Sequence, residues 1–314
     1  MRTELHRHLD ASLRPTTLFE LAQRHAVATP FASSAEIPTR FWLTEQMGSL
    51  QEVLDCFVLF QKVLCTTGDL ERVAREAVED ARAEGIDQLE LRYSPSFTSE
   101  LSSIPWHDAL AAFQRGLRAG AEATGVRTGL ICILSRGFPD EQLARTMDFA
   151  IEHRDAFIGV DLAGAEAGHP CRNFKALFRR ALDAGLPVTV HAGEACGAEN
   201  VWEAIDELGA RRIGHGIRSI DDPALMKRLA RDGILLETCP TSNYVTRSVS
   251  TWKDHPLPRF LEAGVPVSVS TDDPGIFGVT LGDEYERCRA RLGMSDADLA
   301  RIDAHAEAHS FLRV

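Results

Sequence analysis

The sequence predicts an α/β fold, a (β/α)8 TIM barrel with extra helices between the first and second strands. Two observations carry that prediction. Eight short apolar runs, at about residues 3–9, 88–94, 127–134, 157–163, 187–191, 211–215, 234–239 and 266–271, are mostly separated by helical patterns. Such alternation yields parallel strands joined by right-handed crossovers. A glycine also stands between helix and run at Gly85, Gly185, Gly233 and Gly264, where a left-handed residue ends the helix and turns the chain back into the sheet. A doubly wound open sheet is the alternative, but no G-x-G-x-x-G follows the first run.

The gap between the first two runs is too long for one crossover. Residues 13–65 are therefore expected to form a helical lid insertion on a single domain spanning 1–314. Asp69 is expected to cap a helix whose inner stripe is Leu70, Val73, Ala74, Ala77, Val78 and Ala81, at spacings of three and four. Asp222 followed by Pro223 opens another, carrying Leu225, Met226, Leu229 and Ala230 to Gly233. Phe31–Glu36 and Tyr244–His255 read as loops.

Composition narrows the function. With 314 residues, 44% of them apolar, the chain can bury a large core. Its formal charge of −12 argues against nucleic acid or an anionic membrane as the main partner and favours a small neutral or cationic substrate. Seven scattered cysteines without a C-x-x-C pair read as small buried hydrophobes of a reducing cytosol. The chain enters a strand-like run almost at once, so no signal peptide is expected, and no uncharged run is long enough to span a bilayer.

The chemistry gathers where runs end. His6 and His8 share one face of a strand, about 6.6 Å apart, and two such imidazoles can converge on one ion with bonds of about 2.0–2.1 Å to zinc. Alone, the pair reads equally as a solvated strand end or a hydrogen-bonded core. His191 ends the fifth run and Asp272 the eighth. Together these offer three nitrogens and a carboxylate at the C-terminal ends of strands one, five and eight, where barrel active sites lie. Glu194 follows in the loop after His191; His215 closes the sixth run between Gly214 and Gly216, small neighbours that permit close approach.

Seven segments occur in an order that resembles the adenosine deaminase family of mononuclear amidohydrolases. They are Glu4–Asp10, Arg92–Pro95, Asp161–Gly164, His191–Glu194, Ile213–Gly216, Cys239–Asn243 and Ser270–Pro274. The resemblance implies one zinc per chain on His6, His8, His191 and Asp272, with Glu194 and His215 as the catalytic pair. It further implies that Gly164 meets the purine N3, Asp273 holds N7 and Asp10 receives a ribose hydroxyl. Leu50, Val53, Leu54 and Phe57 resemble the apolar side of the family's lid. Two positions depart from the common pattern, Ala11 and Ala165: one bears on crowding at the substrate end, the other lacks a polar group beside the ring. The chain stops soon after Ser310-Phe311-Leu312, so a short or absent C-terminal helix is expected, with weakened packing beneath the last barrel unit.

By this resemblance the reaction is hydrolytic removal of the 6-amino group of a purine nucleoside, adenosine or 2′-deoxyadenosine, in the cytoplasm. A site metal brings the pKa of water from about 16 to about 7, and Glu194, kept protonated by a desolvated pocket, donates to ring N1. His215 positions the attacking oxygen and assists proton transfer. Aminodeoxyfutalosine and free adenine are alternative substrates; Asp10 favours a sugar, since relatives acting on the free base tend to carry Glu there. A two-metal amidohydrolase is disfavoured because the fourth run ends Asp161-Leu162-Ala163-Gly164 without a bridging lysine. A cytidine-deaminase site would need H-x-E and P-C-x-x-C, which are absent. A catalytically silent nucleoside-binding barrel would be expected to have lost a ligand or the acid, and none is missing.

Overall fold

Eight parallel strands hydrogen-bond in sequence order, β1 (Thr3–His8), β2 (Gln88–Tyr93), β3 (Arg127–Ser135), β4 (Phe157–Ala163), β5 (Val188–Ala192), β6 (Arg212–His215), β7 (Leu235–Thr238) and β8 (Val267–Val269). This computed structural model describes residues 1–48 and 50–312; the side chains of Leu50, Gln51 and Leu54 lie outside that description. The ring closes beyond the end of β8, where Asp272 N–H donates to His6 O at 2.9 Å and His8 N–H donates to Asp272 O at 2.8 Å. The fold is a (β/α)8 TIM barrel.

Strand alternation explains where the core sits. Leu89, Leu91 and Tyr93 of β2 are fully buried in the apolar layer between strands and helices, and Gln88, Glu90 and Arg92 alternate with them. The second set faces inward: Arg92 reaches Glu237 on β7 at 2.9 Å, a contact between non-neighbouring strands that must cross the interior. Arg212 Nε donates to Glu237 Oε1 at 2.6 Å, and its Nη1 lies 2.8 Å from Glu90 Oε2. The barrel interior thus holds charges paired with one another, as an unpaired charge at this depth would be very costly.

The helices follow the sequence with one correction and one addition. The helix Thr67–Ala83 buries all six expected stripe residues, but Thr66 is its N-cap; Asp69, three residues on, accepts a hydrogen bond from the Thr66 N–H to complete a capping box. A helix that the sequence reading did not mark precedes the Ser310-Phe311-Leu312 segment. Asp296–His309 forms a fourteen-residue helix behind a Ser295/Asp298 capping box and buries Leu299, Ile302 and Ala306. Its short, alanine-rich apolar stripe hid it in the sequence. After it, Glu90 Oε1 accepts from Ser310 Oγ and Phe311 N at 2.7 and 2.6 Å, and Phe311 stacks 3.7 Å from the Arg212 guanidinium, sealing the bottom of the barrel.

Asp222 caps Pro223–Asp232 as expected. The insertion at 13–65 holds helices Pro15–Arg24, Ile37–Arg40 and Leu50–Val63. Among the described residues no helix is long and apolar enough to cross a membrane.

Candidate active site

The C-terminal strand ends collect the histidines. His6 and His8 alternate along β1, His191 lies in β5, and His215 ends β6. The ring centroid of His6 is 4.6 Å from that of His191, 5.1 Å from His215 and 5.6 Å from His8. Gly214 makes this density possible: a Cβ there would stand 3.0 Å from His6 Cε1 and 3.2 Å from His191 Cα. Asp272 enters from past β8 with φ of 60° and His215 has φ of 61°, left-handed conformations that cost a non-glycine residue about 1–2 kcal/mol.

Asp272 is the hub. Its Oδ1 lies 3.2 Å from His6 Nε2 and 3.4 Å from His8 Nε2, and its Oδ2 lies 3.8 Å from His215 Nε2. Behind the rings, His6 Nδ1 meets Glu237 Oε2 at 2.7 Å and His191 Nδ1 meets Asp161 Oδ2 at 3.0 Å. Carboxylates so placed hold the proton on Nδ1 and turn a bare Nε2 toward the common centre, as behind metal-bound histidines. His6 Nε2 is fully buried and makes no hydrogen bond. An orphaned nitrogen facing a carboxylate and two further imidazoles fits a divalent cation of the zinc class.

The electrostatics separate two adjacent acids. Burial alone would raise Asp272, but His215, His6 and His8 around it prevail and hold it well below the usual carboxylate range. Asp273 goes the other way, driven well above that range by burial and then by the negative charges of Asp272, Asp10 and Glu194. Glu194 is raised too, chiefly by burial, against the opposing effect of His215. Burial also lowers His191 to about 3, so its ring is neutral and able to ligate.

A cavity opens on this constellation. Its lining includes His8, His191, Glu194, His215, Asp272 and Asp273, with Gly164 beside them and Val53 and Phe57 from the helix Leu50–Val63. Of the four expected lid residues, Leu50 and Leu54 have side chains outside the described set. Asp10 does not line the cavity among the described residues. It sits on a 3-10 turn, Leu9–Ala11, and not in continued strand parity. Its Oδ2 accepts from Gln61 Nε2 at 2.8 Å, while Oδ1 is buried without a partner. Ala11 is fully buried, whereas Ala165 is exposed.

This geometry has close relatives. The family model described as adenosine deaminase matches residues 2–314. The chain belongs to the adenosine deaminase family. An adenosine deaminase of Shewanella denitrificans is 39% identical over 309 residues, covering 98% of this chain and 93% of that protein. The crystal structure of an adenine deaminase from Arthrobacter aurescens superposes with a TM-score of 0.92 at 31% identity, covering 99% of this chain and 94% of that one. An amidohydrolase from Burkhoderia ambifaria, solved with bound Zn, gives 0.91 at 28% identity, with coverage of 99% and 86%.

Beyond the motif residues of the adenosine deaminase family, the structure adds supports that sequence reading missed. Glu166 takes the backbone N–H groups of Gly193, Ala195 and Cys196 at 2.6, 2.8 and 2.9 Å, and that of Glu194 at 3.2 Å. One carboxylate thereby shapes the loop that presents Glu194. Within that loop Gly193 has φ of 70°, and a Cβ there would meet Val201 at 2.7 Å. Glu166 lay next to the noted Ala165, with no spacing to mark it. Glu237 had a visible signal, a charge inside Leu235-Leu236-Glu237-Thr238.

Proposed function

We propose that this chain is a zinc-dependent deaminase that hydrolyses the C6–N bond of a 6-aminopurine nucleoside. Adenosine or 2′-deoxyadenosine is the substrate, and inosine or 2′-deoxyinosine plus ammonia are the products. The observation that carries the reading is the clustering of His6, His191, His215 and Asp272, with His8 beside Asp272 and Asp273, under a cavity that Glu194 also lines. Membership of the adenosine deaminase family agrees with it.

His6, His8, His191 and Asp272 would hold one zinc ion, which acidifies water toward neutrality. Glu194, whose charge burial disfavours, gives a proton to ring N1 and so makes C6 electrophilic. Asp273, held neutral, has the O–H that an acceptor such as N7 requires. Gly164 borders the cavity with no side chain to fill it, suiting a backbone contact at N3. His215 faces the attacking oxygen, which forms the new bond at C6 as ammonia leaves. In this reading Asp10, whose Oδ1 is buried without a partner, receives the sugar hydroxyl. The seven free cysteines suit a reducing cytoplasm.

An ultraviolet deamination screen of the zinc-loaded protein against adenosine, 2′-deoxyadenosine, aminodeoxyfutalosine and adenine tests the reading. Turnover of adenosine or 2′-deoxyadenosine above the others is expected. Preference for free adenine, or no turnover of any 6-aminopurine, would overturn it.

A further inference from the structure

Behind His215 runs a file of three hydrogen bonds whose direction is decided at its far end. Asn243 Nδ2 lies 3.0 Å from His215 Nδ1, Asn243 Oδ1 lies 3.2 Å from His255 Nε2, and Leu257 N–H donates to His255 Nδ1 at 3.2 Å. Two imidazoles and an amide can by themselves be arranged in either sense. The Leu257 amide cannot, because a backbone N–H only donates.

His255 Nδ1 must therefore be bare, and the neutral ring carries its proton on Nε2. Burial keeps that ring neutral, lowering its pKa to about 3. The Nε2 proton needs an acceptor, which makes the near atom of Asn243 its oxygen and the far atom its NH2. Asn243 then donates to His215 Nδ1, so the neutral His215 bears its proton on Nε2. That nitrogen faces the cavity, 3.5 Å from Glu194 Oε2 and 3.8 Å from Asp272 Oδ2. The reversed file would set an N–H of His255 against the N–H of Leu257. All three side chains are buried, which shields the file from solvent.

We propose that Asn243 and His255 are positioning residues that lock His215 as its Nε2–H tautomer. Two consequences follow from the locked ring. Although His215 clusters with His6, His191 and Asp272 within 4.8 Å, it is not a metal ligand, because the nitrogen it offers is protonated. Toward the attacking oxygen it is a hydrogen-bond donor, and while neutral it has no free nitrogen there to accept a proton. The expectation that His215 assists proton transfer is thereby narrowed to orientation. The kinetic part of the inference rests on the deaminase reading; the tautomer does not.

Histidine-selective ¹⁵N labelling and long-range proton–nitrogen NMR read the tautomer of the purified protein directly. Protonated Nε2 and bare Nδ1 at His215 are expected; the opposite pattern overturns the proposal, whatever the variants do. Asn243→Asp replaces the donor by an acceptor and should move the proton to Nδ1. With KM little changed, it should lower kcat by at least ~10²-fold, toward the ~10⁴-fold known for a wrong histidine tautomer in another hydrolase. His255→Gln retains an N–H near the lost Nε2 and should preserve both the NMR signature and turnover. His255→Leu frees the amide and should give mixed tautomers with a lower kcat. Equal behaviour of the Gln and Leu variants, or an unmoved proton in Asn243→Asp, would disprove the lock. The expected NMR pattern in a protein that deaminates no 6-aminopurine would refute the function and leave the lock standing.

Discussion

Glu237 stands directly behind His6, its Oε2 2.7 Å from Nδ1, while Asp272 Oδ1 lies 3.2 Å from Nε2 on the opposite side of the ring. The imidazole is thus oriented by one carboxylate and shared with another. Glu237→Gln keeps the shape but removes the charge that Arg92 and Arg212 balance. Zinc affinity is expected to fall about 10–100-fold, with stability reduced by about 3–5 kcal/mol as a buried pair is broken. Chelator competition and thermal melts measure both; unchanged affinity would reduce Glu237 to a structural counter-ion.

His191→Ala should lose metal and activity together, since its Nε2 is one of only a few nitrogens pointed at the centre. Elemental analysis of the parent protein is expected to find close to one zinc per chain. Two bound metals, or full activity after exhaustive chelation, would contradict the mononuclear site.

Glu194→Gln preserves size and metal ligands but has no proton to give. Turnover should drop at least ~10²-fold with zinc content and fold intact. Because burial raises the Glu194 carboxyl and the acid works when protonated, kcat should decline as pH rises through that raised value. A full-rate Gln variant would make Glu194 structural.

Asp10→Ala should weaken kcat/KM for adenosine by about 1.5–3 kcal/mol, the range for a hydrogen bond to a charged group. Free adenine and 5′-deoxyadenosine should change little. Equal losses on all three, after matching metal content, would mean that Asp10 and its partner Gln61 merely brace the site.

Glu284 offers a test away from the chemistry. Fully buried and accepting from Thr241 N–H, its carboxyl is pushed up to about 8, mainly by desolvation. A raised folded-state value means its contribution is complete below the unfolded value and is lost as pH climbs to about 8, on the order of a few kcal/mol in all. Glu284→Gln removes that loss. Melting curves between about pH 5 and pH 9 should show the variant gaining on the parent as pH rises; parallel curves would argue against a buried neutral acid.

The elements that sequence exposed best are those where local pattern and tertiary role agree. His6 and His8 alternate in an apolar strand, and Pro223 after Asp222 announces a helix start. Patterns failed where two residues compete for one role, as Thr66 and Asp69 do for a cap, or where packing needs only small side chains, as along Asp296–His309. The strand β8 contracts to Val267–Val269 because Ser270 and Thr271 lead out toward β1, a closure no local pattern encodes. The motif segments, Arg92 and Asp161 among their residues, stood out in the sequence; the partners those residues meet did not. Arg92 and Glu237 are 145 positions apart, so each charge could be seen in its run while its partner could not.

The charges inside the barrel form an unbroken line from the C-terminal tail to the histidines. Ser310 and Phe311 bind Glu90, Glu90 faces Arg212, Arg212 holds Glu237, and Glu237 touches both His6 and Arg92, which continues through Asp161 to His191. No member can be exchanged for a neutral residue without stranding its neighbour. A trimmed tail or one swapped charge would therefore be felt at the far end of the barrel, where the histidines take their orientation from Glu237 and Asp161.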